Sequence, residues 1–368
     1  MAESLASSQV AAALKAAESD EATPEEKAEM LMEIASGLQM RPKTPEQLEQ
    51  AMGLYRRALD LCPSGAPLLR ARITARLGTA QQAMPGGGNA ALQEARRCYD
   101  AAYPVLKQSG KPEEVAELDM NLGLVQQALS ASGAARLHDA IQCYHRALRT
   151  FTRESFPQEF SILHNNLAIA YLSIPLSDER GKMREALAVQ SFEEVLKVIN
   201  LVDHPSEYAM IQNNLGNALQ YASSGHSMEN NLRALDAYDE ALKVRNPRDT
   251  PLEYANTIAN KANALRNLPD DPDRPGRDRP GRDRPGHDRP GLEGPGCEGP
   301  GREGPGRGRR ASLGAAHKLY REAQRIFAAL GQADHSAVVV EALTEIEREM
   351  AELPIRRTNG DGGAHAGA

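Results

Sequence analysis

The sequence contains few aromatic residues, with no Trp and five Phe among its 368 residues. Aromatic residues make up 4% of the chain, which argues against a large core walled by aromatic side chains. The hydrophobic fraction is 41% and is rich in Ala, the residue that best favours a helix. This composition predicts Ala-rich helices that pack closely on one another.

The chain also lacks an excess of positive charge and a long apolar run. Its formal net charge is −7, which argues against a whole-chain affinity for nucleic acid or for anionic lipid. No run of apolar residues approaches the roughly 18 that a membrane span requires. The N-terminus does not have the basic and then apolar layout of a signal peptide. We therefore expect a cytoplasmic protein that neither binds nucleic acid nor inserts into a membrane.

The sequence contains no cysteine, histidine or glycine-rich motif with the spacing of a catalytic or metal-binding site. The four cysteines are too few and too scattered for a disulfide framework, and the nine histidines form no ligand motif. Cys98 and Cys143 each precede a Tyr, which indicates either a paired thiol site or, as we favour, small packing residues. Phosphate-loop, dinucleotide-binding and nucleophile-elbow motifs do not occur. We expect no enzyme activity, no metal and no cofactor.

One register recurs along the chain: an Ala, an aromatic residue four positions later, and a small residue three positions after that. It occurs at Ala51/Tyr55/Ala58, Ala95/Tyr99/Ala102, Ala140/Tyr144/Ala147, Ala188/Phe192/Val195, Ala234/Tyr238/Ala241 and Ala316/Tyr320/Ala323. A helical segment with a small residue at its centre precedes each copy, as in Asn121-Leu122-Gly123. Small residues let two helices approach closely, and the aromatic side chain is expected to fill the gap between one hairpin and the next.

The spacing between the leading Ala residues is 44 to 48, except for one interval of 82. That interval contains a pentapeptide array, written DRPGR, DRPGH, DRPGL, EGPGC and EGPGR. Pro and Gly in every five residues disfavour helix and strand alike, and almost nothing apolar is present to be buried. We predict a disordered surface loop inserted within the sixth hairpin.

The repeating pattern of Leu-Gly, Ala, Tyr, Ala and Pro resembles the tetratricopeptide repeat, in a long-repeat bacterial form. The runs beginning at Ser206 and Leu252 carry this resemblance most clearly. It implies an all-α fold: a right-handed superhelical solenoid of about six tetratricopeptide-like helical hairpins with a C-terminal capping helix. Similar repeats accompany signalling and proteolytic modules or lie beside multi-subunit oxidoreductases such as [NiFe] hydrogenases.

Five segments follow from these patterns. They are an N-terminal arm or short helix (1–22), five hairpins and the first helix of the sixth (23–270), the pentapeptide insertion (271–310), the end of the sixth hairpin with the capping helix (311–353), and a disordered tail (354–368).

Asparagines occupy the first helices of successive hairpins. Asn121, Asn166, Asn214 and Asn260 share one register position, and Asn217 and Asn263 lie close to it. The resemblance places first helices on the inner, concave surface, where these six residues would form a ladder. An amide offers one acceptor and two donors, so it can clamp the backbone of a peptide. The alternative is that each Asn bonds the adjacent loop or the next helix.

These observations predict a protein–protein interaction scaffold that binds a partner protein or peptide on the Asn-lined face. Arg76, Lys261 and Arg266 are further candidates for contacting an acidic partner, although charges on a helix are usually solvated. The second hypothesis is an assembly or accessory subunit of a multi-subunit redox enzyme such as a [NiFe] hydrogenase. The sequence does not determine the oligomeric state.

Overall fold

The computed structural model describes residues 22–40, 42, 44–174, 179–222, 227–268 and 308–353, with scattered positions between 10 and 18. From Pro24 onward these ranges form thirteen α-helices and no β-strand, which confirms the predicted all-α class. Most of the arm, most of the pentapeptide insertion and the tail lie outside the described residues. Among the described helices, none combines the length and the apolar character that crossing a bilayer requires.

The chain divides into two compact units, Met1–His204 and Pro205–Ala368, called unit 1 and unit 2. The sequence pattern gave no sign of this division. The helices of unit 1 are α1 (Pro24–Met40), α2 (Pro45–Leu61), α3 (Pro67–Gln82), α4 (Gly88–Ser109), α5 (Pro112–Ser130), α6 (Leu137–Ala147), α7 (Pro157–Ser173) and α8 (Glu179–Val195). Those of unit 2 are α9 (Pro205–Tyr221), α10 (Ser227–Leu242), α11 (Pro251–Arg266), α12 (Arg309–Ala329) and α13 (Ala333–Glu352).

Consecutive helices pair into hairpins within each unit. The pairs are α1/α2, α3/α4, α5/α6 and α7/α8 in unit 1, and α9/α10 and α11/α12 in unit 2. The first helix of every hairpin begins at a proline. Proline suits the first turn of a helix, because its fixed φ is helical and the N–H that it lacks would have no partner there. The described helices therefore form stacked hairpins, as predicted.

The Ala/aromatic/small register marks the residues that are buried in every hairpin. All its members are buried, and Tyr55, Tyr99, Tyr144 and Tyr238 are fully inaccessible to solvent. The rings of Tyr99, Tyr144 and Tyr238 each lie against a glycine in the first helix of their own hairpin. A Cβ atom added at Gly78 or Gly216 would lie 2.9 or 2.6 Å from a ring carbon of Tyr99 or Tyr238. The sequence predicted that the aromatic fills the gap between one hairpin and the next, and it did not predict this contact of the ring within its own hairpin.

We call the small residue under each aromatic ring the reference position. Its six members are Ala35, Gly78, Gly123, Ala168, Gly216 and Ala262, all of them buried. A polar side chain one or four positions after the reference position accepts a hydrogen bond from the hydroxyl of the register tyrosine. Gln82 Oε1 accepts from Tyr99 at 2.8 Å, and Gln127 Oε1 accepts from Tyr144 at 2.7 Å. Burial raises the pKa of both tyrosines, so their hydroxyls remain protonated donors.

Two arginines at the start of α12 hold the ends of neighbouring helices in unit 2. The Arg309 guanidinium donates to the carbonyl oxygens of Arg266 and, at 2.8 Å, of Leu268, both at the end of α11. Arg310 donates to the carbonyls of Met350 and Leu353 at the end of α13, at 3.0 and 2.8 Å. Because the last carbonyls of a helix have no partner within it, these contacts satisfy groups that would otherwise need water.

Candidate functional site

The inner face of the hairpins is formed by residues two positions before the reference position. Two residues of an α-helix correspond to about 200°, so these side chains point away from the second helix of their hairpin. In unit 1 the successive first helices α1, α3, α5 and α7 contact one another, and in unit 2 α9 contacts α11. The inner-face residues are Glu33, Arg76, Asn121, Asn166, Asn214 and Asn260. The position that asparagine occupies in the last four hairpins is therefore occupied by Arg76 in the second hairpin and by Glu33 in the first.

Three of the six predicted asparagines have unused hydrogen-bonding capacity. Asn121, Asn166 and Asn214 are half-buried, and their side chains form no hydrogen bond to any residue in the described part of the chain. Each therefore presents a donor and an acceptor that water or another molecule can use.

The other three predicted asparagines, all in unit 2, bond to neighbouring side chains. Asn217 Oδ1 accepts the hydroxyl of Tyr238 at 2.7 Å. Asn260 Nδ2 donates to Asn213 Oδ1 at 3.4 Å, and Asn263 Nδ2 donates to Gln220 Oε1 at 3.0 Å. Two of these bonds join α9 to α11, which is the structural alternative that the sequence left open. Partner binding by these three residues stays a prediction.

In unit 1 the inner face encloses a groove between α1, α3 and α5, with a volume of about 650 Å³. One wall carries Glu29 and Glu33, and the other carries Glu117 and Asn121. Tyr99 lies among the residues that line it, so the groove reaches the ring that closes the second hairpin. A cavity of this size accommodates several side chains of a bound peptide.

Ion pairs join the two helices on one side of this groove. Arg72 donates two hydrogen bonds to Glu114, at 2.6 and 3.2 Å, and Arg76 donates to Glu117 at 2.9 Å. The bond from Arg72 holds the pKa of the Glu114 carboxyl below its ordinary value. Glu29 and Glu33 on α1 form no ion pair with a described residue, so the groove presents more unpaired negative than positive charge.

The basic residues predicted to contact an acidic partner all have carboxylate partners inside their own unit. Arg76 pairs with Glu117, Lys261 pairs with Asp239, and Arg266 pairs with Glu345 and Glu349. A ligand carboxylate would have to displace these partners. This engagement weighs against the prediction for all three residues.

The remaining chemical candidates do not converge on a site. His138 bonds Gln142, whereas His145 bonds the hydroxyl of Tyr171 at 2.9 Å. Cys62, Cys98 and Cys143 are free and buried, and burial raises the pKa of the Cys98 thiol to about 11. Within the described ranges, no group of three or more His, Cys, Asp or Glu side chains is arranged to hold a metal.

The sequence Arg309-Arg310-Ala311-Ser312 resembles a phosphorylation site directed by basic residues. In the structure Ser312 is only 6% exposed inside α12, and both arginines bond backbone carbonyls. Ser312 is therefore not accessible to a kinase while α12 is folded.

The charged wall of the groove was not identified from the sequence. Glu29, Arg72 and Glu117 all lie six positions before the reference position of their helix, which places them on the same inner face as the asparagines. Aligning the repeats on the reference position would have found them. The pairing of Arg72 with Glu114, 42 residues apart, follows only from the distance between helices.

Comparison with protein-family models and with curated proteins finds no match. A comparison with solved structures aligns 95% of this chain with 99% of a Rap protein crystallised in complex with the competence and sporulation factor. The aligned sequences are 12% identical and the TM-score is 0.28. A TM-score this low does not establish a shared arrangement of helices, so the ligand of that protein carries no argument about this chain.

Proposed function

We propose that this chain is a non-catalytic scaffold of the tetratricopeptide type, which binds another protein or peptide on the inner faces of its first helices. The observation that carries the proposal lies in unit 1, where the side chains of Asn121 and Asn166 share one register position and form no hydrogen bond to a described residue; Asn214 repeats this state within unit 2. A buried polar group normally has a hydrogen-bond partner within the protein, whereas a half-buried amide without one remains available to water or to a ligand. A partner backbone that runs across the first helices of unit 1 would supply those bonds to Asn121 and Asn166.

The groove of unit 1 favours a partner segment with a defined chemistry. Asn121 can bond its backbone, and Met32 and Met40 supply apolar contact along the groove. Glu29 and Glu33 favour a Lys or Arg side chain on the α1 side, because they have no ion pair of their own. We therefore propose a peptide that is apolar where it enters the groove and basic where it meets α1.

A quantitative pull-down from the native host tests the proposal. The full chain would be compared with the triple variant Asn121→Ala, Asn166→Ala, Asn214→Ala, using mass spectrometry to measure recovered partners. The matched control removes three exposed amides from second helices: Asn89→Ala, Gln142→Ala and Gln190→Ala. We expect the triple variant to lose a partner that the control retains, with both variants folded as judged by circular dichroism.

Equal recovery by the folded triple variant and by the wild type would exclude the inner face as the binding site. The salt dependence of the recovered complex addresses the second hypothesis. A subunit bound permanently to a redox enzyme would stay associated at high salt, whereas a peptide held by Glu29 and Glu33 would dissociate as charge screening increases.

A further inference from the structure

Helix α13 occupies the position of a first helix in a seventh hairpin. From the second to the sixth hairpin, the reference position lies 23 or 24 residues after the aromatic residue of the preceding hairpin. Thr344 lies 24 residues after Tyr320, so it is the equivalent reference position in α13. The register is supported by Val338, six positions before Thr344, which lines a groove with Asn256 and Asn260 of α11. The helix expected to act as a cap therefore packs on α12 as a further copy of the repeat.

The face of α13 that would receive a second helix is exposed. Every complete hairpin has a small, buried residue seven positions before its reference position. These residues are at most 6% exposed, and they are Ala28, Ala71, Ala116, Ser161, Ala209 and Ala255. The equivalent Ala337 is exposed, as is Thr344 itself, and Val340 between them is 42% exposed. Ala337 and Val340 line a shallow apolar concavity of about 640 Å³ at the α12–α13 turn.

The segment that follows α13 does not have the pattern of a second helix. Residues 354–368 begin with Pro354, contain four glycines, and lack the Ala/aromatic/small spacing. Thr344 also argues against an ordinary second helix from another source. Reference residues in the complete hairpins are Gly or Ala, and at Gly78, Gly123 and Gly216 the aromatic ring lies directly against the glycine. The larger threonine side chain requires a small residue opposite it.

We propose that this face binds the same face of α13 in a second copy of the chain, with the two helices antiparallel. In this arrangement Ala337 of each copy lies opposite Thr344 of the other, so a small residue meets the larger one. The charges agree with this register. Arg348 lies near one end of the face and Asp334 near the other, and neither forms an ion pair with any described residue. Antiparallel pairing places each Arg348 beside Asp334 of the second copy.

Glu341 opposes the association. It flanks the centre of the face and has no ion-pair partner among the described residues, so the two copies of Glu341 would approach each other across the two-fold axis. One helix pair buries less surface than a standard-size interface, and two like charges lie near its centre. We therefore expect a reversible homodimer with a dissociation constant in the micromolar range.

Sedimentation velocity on the full chain, up to several hundred micromolar, tests the association itself. A chain that remains monomeric throughout this range would overturn the proposal. Ala337→Glu places a charge opposite Thr344 of the second copy and is expected to weaken the dimer at least about tenfold. Val338→Glu, one residue away on the α11 side, is the matched control and should leave the dimer unchanged. If Val338→Glu were instead the disruptive change, the self-association would use the other side of α13.

Charge reversal tests the antiparallel register. Asp334→Arg or Arg348→Asp alone should weaken the dimer several-fold, and the double variant should recover most of the loss. Glu341→Gln should strengthen it. Failure of the double variant to recover would reject this register.

Cysteine cross-linking gives a readout that does not depend on affinity. In a Cys297→Ser background, Ala337→Cys with Thr344→Cys should form a disulfide-linked dimer under mild oxidation. Two full helical turns separate these positions within one helix, so they cannot bridge inside one chain. Val338→Cys alone should remain monomeric, and equal cross-linking of both variants would contradict the proposed contact.

Discussion

The inner faces of the two units use asparagine in different ways. In unit 1, Asn121 and Asn166 have no internal hydrogen bond, and Asn121 lines an open groove with a charged wall. In unit 2 the side chain of Asn214 is open as well, whereas Asn217, Asn260 and Asn263 bond side chains of the same helix pair or hairpin. One register position therefore serves two purposes. A repeat can leave its amide open to a ligand or use it to hold neighbouring helices together.

Both units share the contact between an aromatic ring and a small residue, and its removal should give the largest effect. Replacing Tyr144 or Tyr238 by Ala empties a fully buried site and should reduce the free energy of unfolding by about 3–5 kcal/mol. Urea unfolding monitored by circular dichroism measures this loss. Tyr221→Ala, at a residue that is 65% exposed, is the control and should change stability by less than about 0.5 kcal/mol. A much smaller loss at Tyr238 than at Tyr144 would show that the two units are not stabilised alike.

Adding a methyl group under the ring should give the next largest effect. Gly123→Ala and Gly216→Ala bring a Cβ into the ring of Tyr144 or Tyr238 and should cost about 1–3 kcal/mol. Gly37→Ala is the control, because its Cβ would meet no atom within 4 Å. That change should stabilise the helix by up to about 1 kcal/mol, since Ala loses less backbone entropy than Gly. Stabilisation by all three substitutions would contradict the close ring contact.

The difference between the two inner faces is tested directly by single asparagine substitutions. Asn217→Ala leaves the buried hydroxyl of Tyr238 without its acceptor and should cost about 1–3 kcal/mol. Asn121→Ala and Asn166→Ala remove no internal bond and should change stability by less than about 0.5 kcal/mol. Thermal unfolding of the three variants, measured side by side, compares their losses in the free energy of unfolding. Equal losses at all three positions would remove the distinction between open and engaged amides.

The ion pairs of the unit 1 groove should produce the smallest effect. The hydrogen bond from Arg72 lowers the pKa of Glu114 from its ordinary value of 4.5. A carboxyl with a lowered pKa in the folded state stabilises the protein above about pH 4.5, and that stability is lost as the pH falls through the lowered pKa. Both side chains are partly exposed, so the contribution should be about 1 kcal/mol or less.

Glu114→Gln should therefore lower stability at neutral pH and flatten its decline toward acid. Unfolding measured in urea between pH 3 and pH 7 would show both changes. An unchanged pH dependence in the variant would show that this pair contributes nothing measurable. Glu113→Gln, on the neighbouring exposed position, is the control and should follow the wild-type curve.

The sequence predicted the fold well because one spacing determines which residues are buried. The Ala/aromatic/small register identified the buried residue of every hairpin, including Phe192, where the aromatic is not tyrosine. The final helix was predicted separately, from apolar residues at helical spacing after the sixth hairpin. The sequence did not reveal that the ring lies against a glycine of its own hairpin, since that depends on how closely two helices approach.

The candidate site was only partly predictable. Register alone placed Asn121 and Asn260 on the same face, but it could not show that Asn260 bonds Asn213 of the previous first helix. Such bonds depend on the distance between two helices that are about 47 residues apart in sequence. The division at His204 and the bare face of α13 also follow from packing between helices, which a periodic pattern does not determine.

The contact between Arg309 and Leu268 has a consequence for the variation of this chain. The two residues flank the pentapeptide array, and a hydrogen bond of 2.8 Å joins them across it. The distance between the ends of the array is therefore fixed by the hairpin, whatever number of pentapeptides lies between them. Closing a longer loop costs only slightly more entropy, so units can be gained or lost with little effect on the helices. The same position is a natural point at which to insert an affinity tag or a fluorescent domain.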